Sequence, residues 1–229
     1  MVADRGAAGC SAIRLKAPAL IPPATYLAFA TPAEVDGAAV PAALARATRR
    51  QLDYLVGRLA AGRALIRLTS HAPEIGRGAD GAPVWPSGIT GAISHADGRA
   101  VALVGNAARH AGLGVDLETI ITHPDEIAPL VLNQGEAAIV PPDGLYLTVV
   151  FSAKESLFKA LYPRVRHIFG FDAARLVTLD SASGTLRLRQ PLGPWPKGAE
   201  FPFGWHVMGG QVLTTLAAPY ALSVAPPST

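Results

Sequence analysis

The sequence predicts an α+β protein made of two similar halves, each a long helix packed on a small antiparallel sheet. Two long segments repeat their apolar residues at the 3.6-residue period of a helix, and each is followed by short segments with strand-like patterns. The chain has 229 residues, 50% of them hydrophobic, which is enough for a sizeable core. We place the predicted domain boundary after residue 115, giving halves at 1–115 and 116–229.

The first half is predicted to begin with a short strand and to contain the first long helix. Apolar residues at helical spacing, among them Leu52, Leu59 and Ile66, define that helix. Gly and Pro residues then mark a turn-rich segment, and three antiparallel strands follow. The predicted elements are, in chain order, a strand at 24–30, a helical turn beginning near residue 31, a long helix at 41–67, a turn-rich segment at 72–91, and strands at 89–93, 100–104 and 113–118.

The second half is predicted to hold the second long helix and two β-hairpins. A less regular segment, which can form one or two helices and includes Glu136, leads into it. Alternating apolar residues on both sides of turn sequences such as Gly209-Gly210 indicate the hairpins. The predicted elements are, in chain order, the irregular segment at 125–140, the helix at 149–163, and strand pairs at 176–179 with 185–189 and at 205–208 with 211–217.

The second long helix has an unusual distribution of charge. A line of aromatic residues predicts a core-facing stripe, formed by Phe151, Phe158 and Tyr162. Lys154 and Glu155 border that line, although surface charges belong on the opposite face. The opposite face carries small residues that could pack against another element or a ligand, namely Ser152, Ala153, Ser156 and Ala160. Either Glu155 and Lys159 form a surface ion pair, or the charged groups belong to a site for a metal and a phosphate.

The last predicted strand of the first half alternates cleanly between apolar and other residues. Its apolar side faces away from Gly112, Gly114, Asp116 and Glu118. Residues two apart on a strand are about 7 Å apart, so two carboxylates face the same space beside two glycines. The carboxylates repel each other unless a cation or a basic side chain lies between them, and their oxygens suit Mg²⁺. The alternative is an exposed edge strand that binds no metal.

Basic residues on the first long helix are either solvated or part of an anion site. Arg50 and Arg58 are eight residues apart, so they share one face about 12 Å from each other, which suits a ligand with separated phosphates. Ser94 and His95 stand where a predicted strand runs into its turn. This is a common position for ligand contacts and equally for ordinary turn residues. The turn-rich segment adds Arg77.

Composition argues against several classes of protein. The net charge of +3 is modest and the basic residues are scattered, so nucleic-acid binding is not expected. No segment reaches the roughly 18 apolar residues of a membrane span, so no membrane partner is expected either. Cys10 is the single cysteine, which rules out an internal disulfide and agrees with a reducing compartment, by default the cytoplasm.

Two motifs together resemble the signature of the 4′-phosphopantetheinyl transferases. They are Gly114-Val115-Asp116-Leu117-Glu118 and, about thirty positions later, Phe151-Ser152-Ala153-Lys154-Glu155-Ser156-Leu157-Phe158-Lys159-Ala160. The chain resembles the larger, monomeric type, similar to the activating enzymes of enterobactin and surfactin synthases, over roughly residues 40–218. Either motif alone is weak, whereas the pair is specific.

The resemblance implies transfer of the phosphopantetheine arm of coenzyme A to a serine of an apo acyl or peptidyl carrier protein, releasing 3′,5′-ADP. It also implies two pseudo-symmetric halves with the active site in the cleft between them. Carried over by position, the ligands of Mg²⁺ or Mn²⁺ are Asp116, Glu118 and Glu155. The cations on the phosphates and the leaving group are Lys154 and Lys159. The residues implied for the nucleotide end of coenzyme A are Arg50, Arg58, Arg77, Ser94 and His95, with the backbone of Gly81, Ala82 and Pro83 along the adenine.

The acceptor serine also needs a base. Glu155 is the first candidate, acting directly or through a water, and Glu136 is the second. Two other functions stay open on the sequence alone: a Mg²⁺-dependent phosphodiesterase or nuclease, and a non-catalytic module that binds carrier proteins. The phosphodiesterase would usually show more carboxylates or metal-spaced histidines. The binding module would tolerate Glu155→Ala in every functional assay.

Overall fold

The computed structural model describes residues 21–36 and 48–220, which form helices and antiparallel sheets. Cys10 and the predicted helix start at 41–47 lie outside the described residues. Among the described helices, none is both long enough and apolar enough to cross a membrane. The combination of helices with antiparallel strands confirms the α+β class.

The predicted strands and the second long helix are all present, with shifted ends. The elements up to the middle of the chain are β1 (Thr25–Ala30), α1 (Pro32–Asp36), α2 (Arg49–Thr69), β2 (Gly76–Arg77), β3 (Pro83–Val84), β4 (Ile89–Ala96), β5 (Arg99–Asn106) and β6 (Gly112–Thr119). The later elements are α3 (Pro124–Val131), a 3₁₀ turn (Glu136–Ala138), α4 (Gly144–Val165), a second 3₁₀ turn (Phe171–Ala173), β7 (Ala174–Leu179), β8 (Ser183–Leu188), β9 (Glu200–Met208) and β10 (Gln211–Ala218).

The first long helix begins later than its apolar pattern predicts. Thr48 has an extended backbone, with φ −64° and ψ 155°, and its side chain accepts a hydrogen bond from the Gln51 amide. Gln51 Oε1 in return accepts a hydrogen bond from the Thr48 amide at 2.8 Å, which completes a capping box. This local cap fixes the start of α2 at Arg49, and the part of the predicted helix at 41–47 lies outside the described residues.

The strands form two main sheets, and β6 belongs to a different sheet from the one predicted. The first sheet has the order β1-β5-β4 and the second has the order β6-β10-β9-β8-β7, with every pair antiparallel. β6 does not complete the sheet of the first half. It pairs with β10 near the C-terminal end, for example Asp116 with Thr214. Residue 116 therefore lies inside a strand of the second sheet.

A shared core joins the two sheets. α2 packs on the first sheet and α4 packs on the second, each over its own apolar cluster. A third cluster lies between the sheets, where Leu27 and Leu103 of the first sheet pack with Val115, Leu117 and Leu213 of the second. The apolar face of β6 is buried in this cluster, so β6 connects the two sheets by packing even though it pairs with only one of them.

α4 packs directly onto β6 because two glycines leave no side chain between them. A Cβ atom on Gly114 would lie 1.9 Å from the carbonyl oxygen of Ser156, and a Cβ atom on Gly112 would lie 1.9 Å from that of Ala160. Both distances are far too short for any contact, so only glycine allows this approach. The room predicted beside the two carboxylates of β6 is therefore occupied mainly by a helix.

The buried face of α4 is its small face and not its aromatic line. Ser152 and Ser156 are fully buried, whereas Phe158 and Tyr162 are only half-buried. The hydroxyl of Thr214 on β10 lies 2.9 and 2.7 Å from the two serine hydroxyls. Of the predicted core-facing stripe, Phe151 packs against the core. The prediction is wrong for Phe158 and Tyr162, because close packing of α4 on the second sheet requires small residues and leaves these two rings at the edge of the contact.

Candidate active site

Asp116 is the centre of a buried polar cluster formed by β6, β4 and α4. Only 1% of its surface is exposed. Its Oδ1 accepts hydrogen bonds from the Lys159 ammonium group at 2.6 Å and from the Ser94 hydroxyl at 2.8 Å. Its Oδ2 is also buried, yet it has no hydrogen-bond partner among the described residues. A buried acceptor of this kind marks a position for a cation or an ordered water.

Ser94, which the resemblance assigns to the nucleotide end of coenzyme A, lies at the Asp116 cluster. Besides donating to Asp116, its hydroxyl oxygen accepts a hydrogen bond from Lys159 at 2.8 Å. Three elements, β4, β6 and α4, thus contribute one side chain each to a closed triangle of hydrogen bonds. This arrangement fixes the lysine ammonium group against one oxygen of the aspartate and leaves the other oxygen open.

Two further glutamates lie near Asp116. Burial and the negative charge of Asp116 raise the pKa of Glu118 to about 8. The charge of Lys159 opposes this rise, whereas a side-chain hydrogen bond between Glu118 and Asp116 and the charge of Glu155 add to it. Burial likewise raises the pKa of Glu155, with Lys159 opposing the rise and Asp116 adding to it. The cluster therefore holds more negative than positive charge, and its carboxylates repel each other unless a further cation binds.

The cluster suits a hard divalent cation held mainly by the two carboxylates of β6. Within residues 21–36 and 48–220, no group of three or more His, Cys, Asp or Glu side chains is placed to hold a metal ion, so these residues form no metal cage. Mg²⁺ does not need such a cage, because it keeps several waters and commonly takes one or two carboxylates plus substrate phosphate oxygens. The open Oδ2 of Asp116 and the raised pKa of Glu118 are both features that a cation would relieve.

Lys154 belongs to a different buried cluster. Its ammonium group donates to Glu136 Oε2 and to the carbonyl oxygen of Val131, each at 2.8 Å. Burial lowers the pKa of Lys154, and the contact with Glu136 opposes that change. Glu136 is itself fully engaged, because its Oε2 also accepts from the Asn133 amide and its Oε1 accepts from the Leu176 amide at 2.5 Å.

The expected position of Lys154 at the phosphates is thereby corrected. Of the two lysines in the motif, Lys159 reaches Asp116 and Lys154 anchors α4 to the segment that follows α3. The adjacent residues Lys154 and Glu155 point in directions about 100° apart on the helix. The sequence alone could not show which of these directions faces the site. Glu136, the second candidate base, has both carboxylate oxygens occupied by this anchor.

Arg58 and Arg77 meet over the ring of Tyr54. Their guanidinium carbons lie 4.6 and 6.0 Å from the ring centroid. Arg58 also donates to the carbonyl oxygen of Gly76 at 2.9 Å, while its Nε is buried without a hydrogen-bond partner among the described residues. Sequence analysis did not identify Tyr54, although its position four residues before Arg58 on a helix is a signal for such a stack.

The remaining predicted residues of the basic face are less tightly placed. His95 Nδ1 lies 4.0 Å from Oδ2 of Asp53, the neighbour of Tyr54, and the His95 side chain is 54% exposed. Arg50 is exposed in the first turn of α2. The structure thus brings His95 near Asp53 on α2, whereas it leaves Arg50 on the open surface of the helix.

A mainly apolar groove of about 940 Å³ lies between the segment after α2 and the end of α4. Lys159 lines the groove, so the groove reaches the Asp116 cluster. Ala82 and Pro83, predicted to lie along the adenine, are also part of its wall. Its main apolar residues are Val84, Trp85, Ile93, Phe158 and Ile168. A groove of this size and character accommodates an extended small molecule whose charged end meets a lysine.

The loop at 78–82 is held in one shape and fastened to α4. Gly81 has φ +85°, a backbone conformation that favours glycine. Asp80 Oδ1 accepts from the Ala82 amide at 3.0 Å, and its Oδ2 accepts from the Tyr162 hydroxyl at 3.0 Å. Arg166 lies 3.8 Å from the same Oδ2. Asp80, which sequence analysis did not identify, therefore joins the loop to the helix that carries Lys159.

Comparison with protein families assigns the chain to a class of enzyme. Residues 39–105 match the 4′-phosphopantetheinyl transferase N-terminal domain, and residues 112–217 match the 4′-phosphopantetheinyl transferase superfamily. The chain belongs to this family, which confirms the resemblance of its two motifs. It transfers the 4′-phosphopantetheine arm of coenzyme A to a serine of an apo carrier protein and releases 3′,5′-ADP.

Curated relatives agree with this assignment. The chain is 32% identical to enterobactin synthase component D of Salmonella typhi over 176 residues, which cover 74% of this chain and 73% of the relative. It is 36% identical to the 4′-phosphopantetheinyl transferase Svp of Streptomyces mobaraensis, over 76% of this chain and 75% of the relative. The transferase Npt of Nocardia iowensis is 30% identical, over 74% of this chain and 82% of the relative. These relatives support the larger type of the family.

Proposed function

We propose that the transfer takes place at the Asp116 cluster, with Mg²⁺ or Mn²⁺ held by Asp116 and Glu118 and with Glu155 as the third carboxylate beside it. A metal ion bound there would neutralise pyrophosphate charge and polarise a phosphoryl oxygen. One observation carries the proposal: Lys159 holds Oδ1 of Asp116 at 2.6 Å, while the buried Oδ2 has no partner among the described residues. The lysine fixes one oxygen, and the other is available to a cation.

Lys159 is proposed to stabilise the leaving group. Its side chain is 24% exposed and lines the groove, so it can contact a ligand phosphate while it stays beside Asp116. Negative charge develops on the phosphate of 3′,5′-ADP as its bond to the transferred phosphorus breaks. An ammonium group already fixed in position stabilises that charge without reorganisation. Lys154, which is anchored to Glu136, is proposed to position α4 and not to contact the phosphates.

Glu155 is proposed as the base that accepts the proton of the carrier serine, directly or through a water. The serine oxygen attacks the phosphorus that bears the pantetheine arm, and its proton must leave as the new bond forms. Burial raises the pKa of Glu155, which brings its proton affinity closer to neutral pH. Glu136 is less suitable, because both of its oxygens accept hydrogen bonds from buried donors.

The nucleotide end of coenzyme A is proposed to bind along the Tyr54 stack and the loop at 78–82. Arg58 and Arg77 supply guanidinium groups to the phosphate at this end, and Tyr54 offers an aromatic face. The mainly apolar groove carries the ligand towards Lys159. In this proposal the halves 1–115 and 116–229 are pseudo-symmetric and bind the nucleotide end and the metal, respectively, with coenzyme A in the cleft between them.

The proposed acceptors are apo acyl or peptidyl carrier proteins of secondary metabolism. Relatives named for enterobactin synthase make siderophore assembly one candidate pathway, alongside polyketide and nonribosomal peptide assembly. The enzyme is proposed to act as a monomer in the cytoplasm, in line with its single cysteine and a reducing compartment. Neither nucleic acid nor membrane is proposed as a partner.

The test is an intact-mass assay with coenzyme A, Mg²⁺ and a panel of apo carrier proteins. We expect at least one carrier to gain the mass of one phosphopantetheine arm, an equal amount of 3′,5′-ADP to appear, and EDTA to stop both. The same carrier with its acceptor serine changed to alanine is the control and should gain nothing. Product formation that EDTA does not slow would contradict the metal site while leaving the transfer itself intact.

The same assay separates the other two functions considered for this sequence. A phosphodiesterase would split coenzyme A at equal rates with and without a carrier and would release free 4′-phosphopantetheine. A non-catalytic binding module would leave coenzyme A unchanged, and Glu155→Ala would bind carriers as the wild type does. A transferase instead consumes coenzyme A only when an acceptor serine is present.

A further inference from the structure

A second groove lies beside β7 and β8, outside the proposed transfer site. Its volume is about 480 Å³, and it shares no lining residue with the larger groove. Its polar lining residues are Asp172, Arg175, Arg187, Arg189, Gln190 and Lys197. Both the size and the concentration of cationic side chains are typical of a site for a small charged ligand.

Two of the arginines face each other across the sheet. Arg175 on β7 is the direct Cα partner of Arg187 on β8. Leu186 and Leu188 are buried in the core, so the alternation of the strand directs Arg187 to the outer face. Like charges directly opposite each other destabilise an antiparallel pair. An anion bound between the two strands would remove that repulsion.

The protein neutralises only part of this positive charge. Arg187 donates to Glu200 Oε1 from Nε at 2.8 Å and from Nη2 at 2.5 Å. Arg189 donates to two neutral acceptors at 3.2 Å, the side-chain oxygen of Asn133 and the carbonyl oxygen of Asp172. The Asp172 side chain contributes one carboxylate to the lining and opposes anion binding locally.

The other two cations have no partner of their own. Within residues 21–36 and 48–220, neither Arg175 nor Lys197 has a side-chain hydrogen bond or an ion pair. Both are exposed at the groove. Their charges are therefore available to a ligand, whereas Arg187 and Arg189 already hold parts of the wall.

We propose that this second groove binds a small phosphate-bearing anion, such as pyrophosphate or the diphosphate of a nucleotide. Guanidinium groups bind phosphate oxygens through paired N–H donors, and Arg175 has its donors free among the described residues. Arg187, whose Nε and Nη2 are held by Glu200, lies on the paired strand about 4.8 Å away and adds positive charge. Lys197 adds a compact charge from the facing loop. A concave groove of this volume fits a small anion better than a broad acidic protein surface, which would need a larger and flatter contact.

The test is an NMR titration of the ¹⁵N-labelled full chain with sodium pyrophosphate at constant ionic strength. We expect saturable shifts in the amides around Arg175, Arg187 and Lys197. In the double variant Arg175→Gln/Lys197→Gln, the dissociation constant measured from these amide shifts should rise at least ten-fold. Arg109→Gln, which removes an exposed charge from the β5–β6 turn, should leave the constant unchanged. Arg189 is left in place because it supports Asn133.

Either of the following two outcomes would overturn the proposal. Absent or non-saturable shifts at these amides, or an equal constant in the double variant, would show that the groove holds no phosphate site. Tighter binding of a glutamate-rich peptide than of pyrophosphate at the same amides would show that the ligand is an acidic protein segment. Transfer activity of the double variant, measured separately, should match the wild type, so this test succeeds or fails independently of the transfer mechanism.

Discussion

The ammonium nitrogen of Lys159 lies 2.6 Å from Oδ1 of Asp116, a residue that is only 1% exposed. The contact crosses from α4 to β6, and Ser94 joins it from β4. Loss of this lysine would leave a buried carboxylate with less compensation. Lys159 therefore supports the fold through this contact in addition to its proposed chemical role, and it is not a surface partner of Glu155 alone.

Lys159→Ala should lower both turnover and stability. Turnover should fall roughly ten-fold to a thousand-fold, because the lost charge acts mainly as negative charge moves to the leaving nucleotide. The free energy of unfolding should fall by about 1–3 kcal/mol, because a hydrogen bond to a buried charged group is removed. Single-turnover kinetics and urea denaturation measure the two effects, with Arg109→Ala as an exposed control. An unaltered rate would confine Lys159 to a structural role.

Gly114→Ala should prevent the close contact between β6 and α4. Its Cβ would lie 1.9 Å from the carbonyl oxygen of Ser156, so helix and strand would have to separate. We expect a loss of about 3 kcal/mol or more of unfolding free energy, measured by urea denaturation. Gly62→Ala on α2 is the matched control: its Cβ meets nothing closer than 3.8 Å, and it should gain about 0.5–1 kcal/mol from helix propensity. Equal stabilities for the two variants would contradict this packing.

Arg58→Gln should weaken coenzyme A binding while leaving turnover at saturation nearly unchanged. A charged hydrogen bond to phosphate contributes about 1.5–3 kcal/mol, which corresponds to a Michaelis constant raised roughly ten-fold or more. Tyr54→Leu should give a smaller increase, because it removes only the stacking surface under the guanidinium groups. Arg67→Gln, an exposed change on the same helix, is the control. If all three variants behaved alike, the nucleotide end would bind elsewhere.

Much of the site could be predicted because its local geometry follows from sequence spacing. Asp116 and Glu118 had to share one face of a strand, and the glycines beside them indicated a close neighbour. The sequence singles out Lys154 and Glu155 as charges in an unusual place, whereas Lys159 is implied for the site only by the family resemblance. The pairing of β6 with β10 could not be predicted, because strand pairing over about a hundred residues leaves no local signal.

The misplaced residues share a physical cause. Lys154 and Glu136 form a buried pair whose partners are 18 residues apart, and nothing in either local pattern reveals it. Phe158 and Tyr162 looked like core residues because aromatic rings usually supply buried area. The second sheet instead accepts a face of serine and alanine, since Gly112 and Gly114 bring the α4 backbone itself into contact.

The raised pKa of Glu118 predicts a loss of stability with rising pH in metal-free protein. Its folded-state pKa of about 8 exceeds the ordinary value of 4.5, so the folded protein holds this proton more tightly than the unfolded chain. This contribution is fully present below pH 4.5 and is lost as the pH rises through 8. In EDTA the Tm should fall across this window more for wild type than for Glu118→Gln, which has no proton to lose. Addition of Mg²⁺ at pH 8 should raise the wild-type Tm selectively, and parallel curves for the two proteins would contradict the shift.

The buried pair of Lys154 and Glu136 provides the sharpest separation of structure from chemistry. Lys154→Met should cost about 3–5 kcal/mol of unfolding free energy, because Glu136 would be left charged and buried without its partner. Lys154→Met/Glu136→Gln should recover much of that loss, because the neutral amide removes the unpaired buried charge and its oxygen still accepts the hydrogen bond from the Leu176 amide.

Turnover of the double variant decides the role of Lys154. If the lysine only anchors α4, the double variant should transfer phosphopantetheine within about three-fold of the wild-type rate, because Lys159, Asp116 and Glu155 keep their positions. If Lys154 contacts the phosphates, the rate should stay low however stable the protein becomes. Urea denaturation and the intact-mass assay on the same preparations give both quantities. A stable but inactive double variant would show that Lys154 takes part in the transfer reaction, as the motif first suggested.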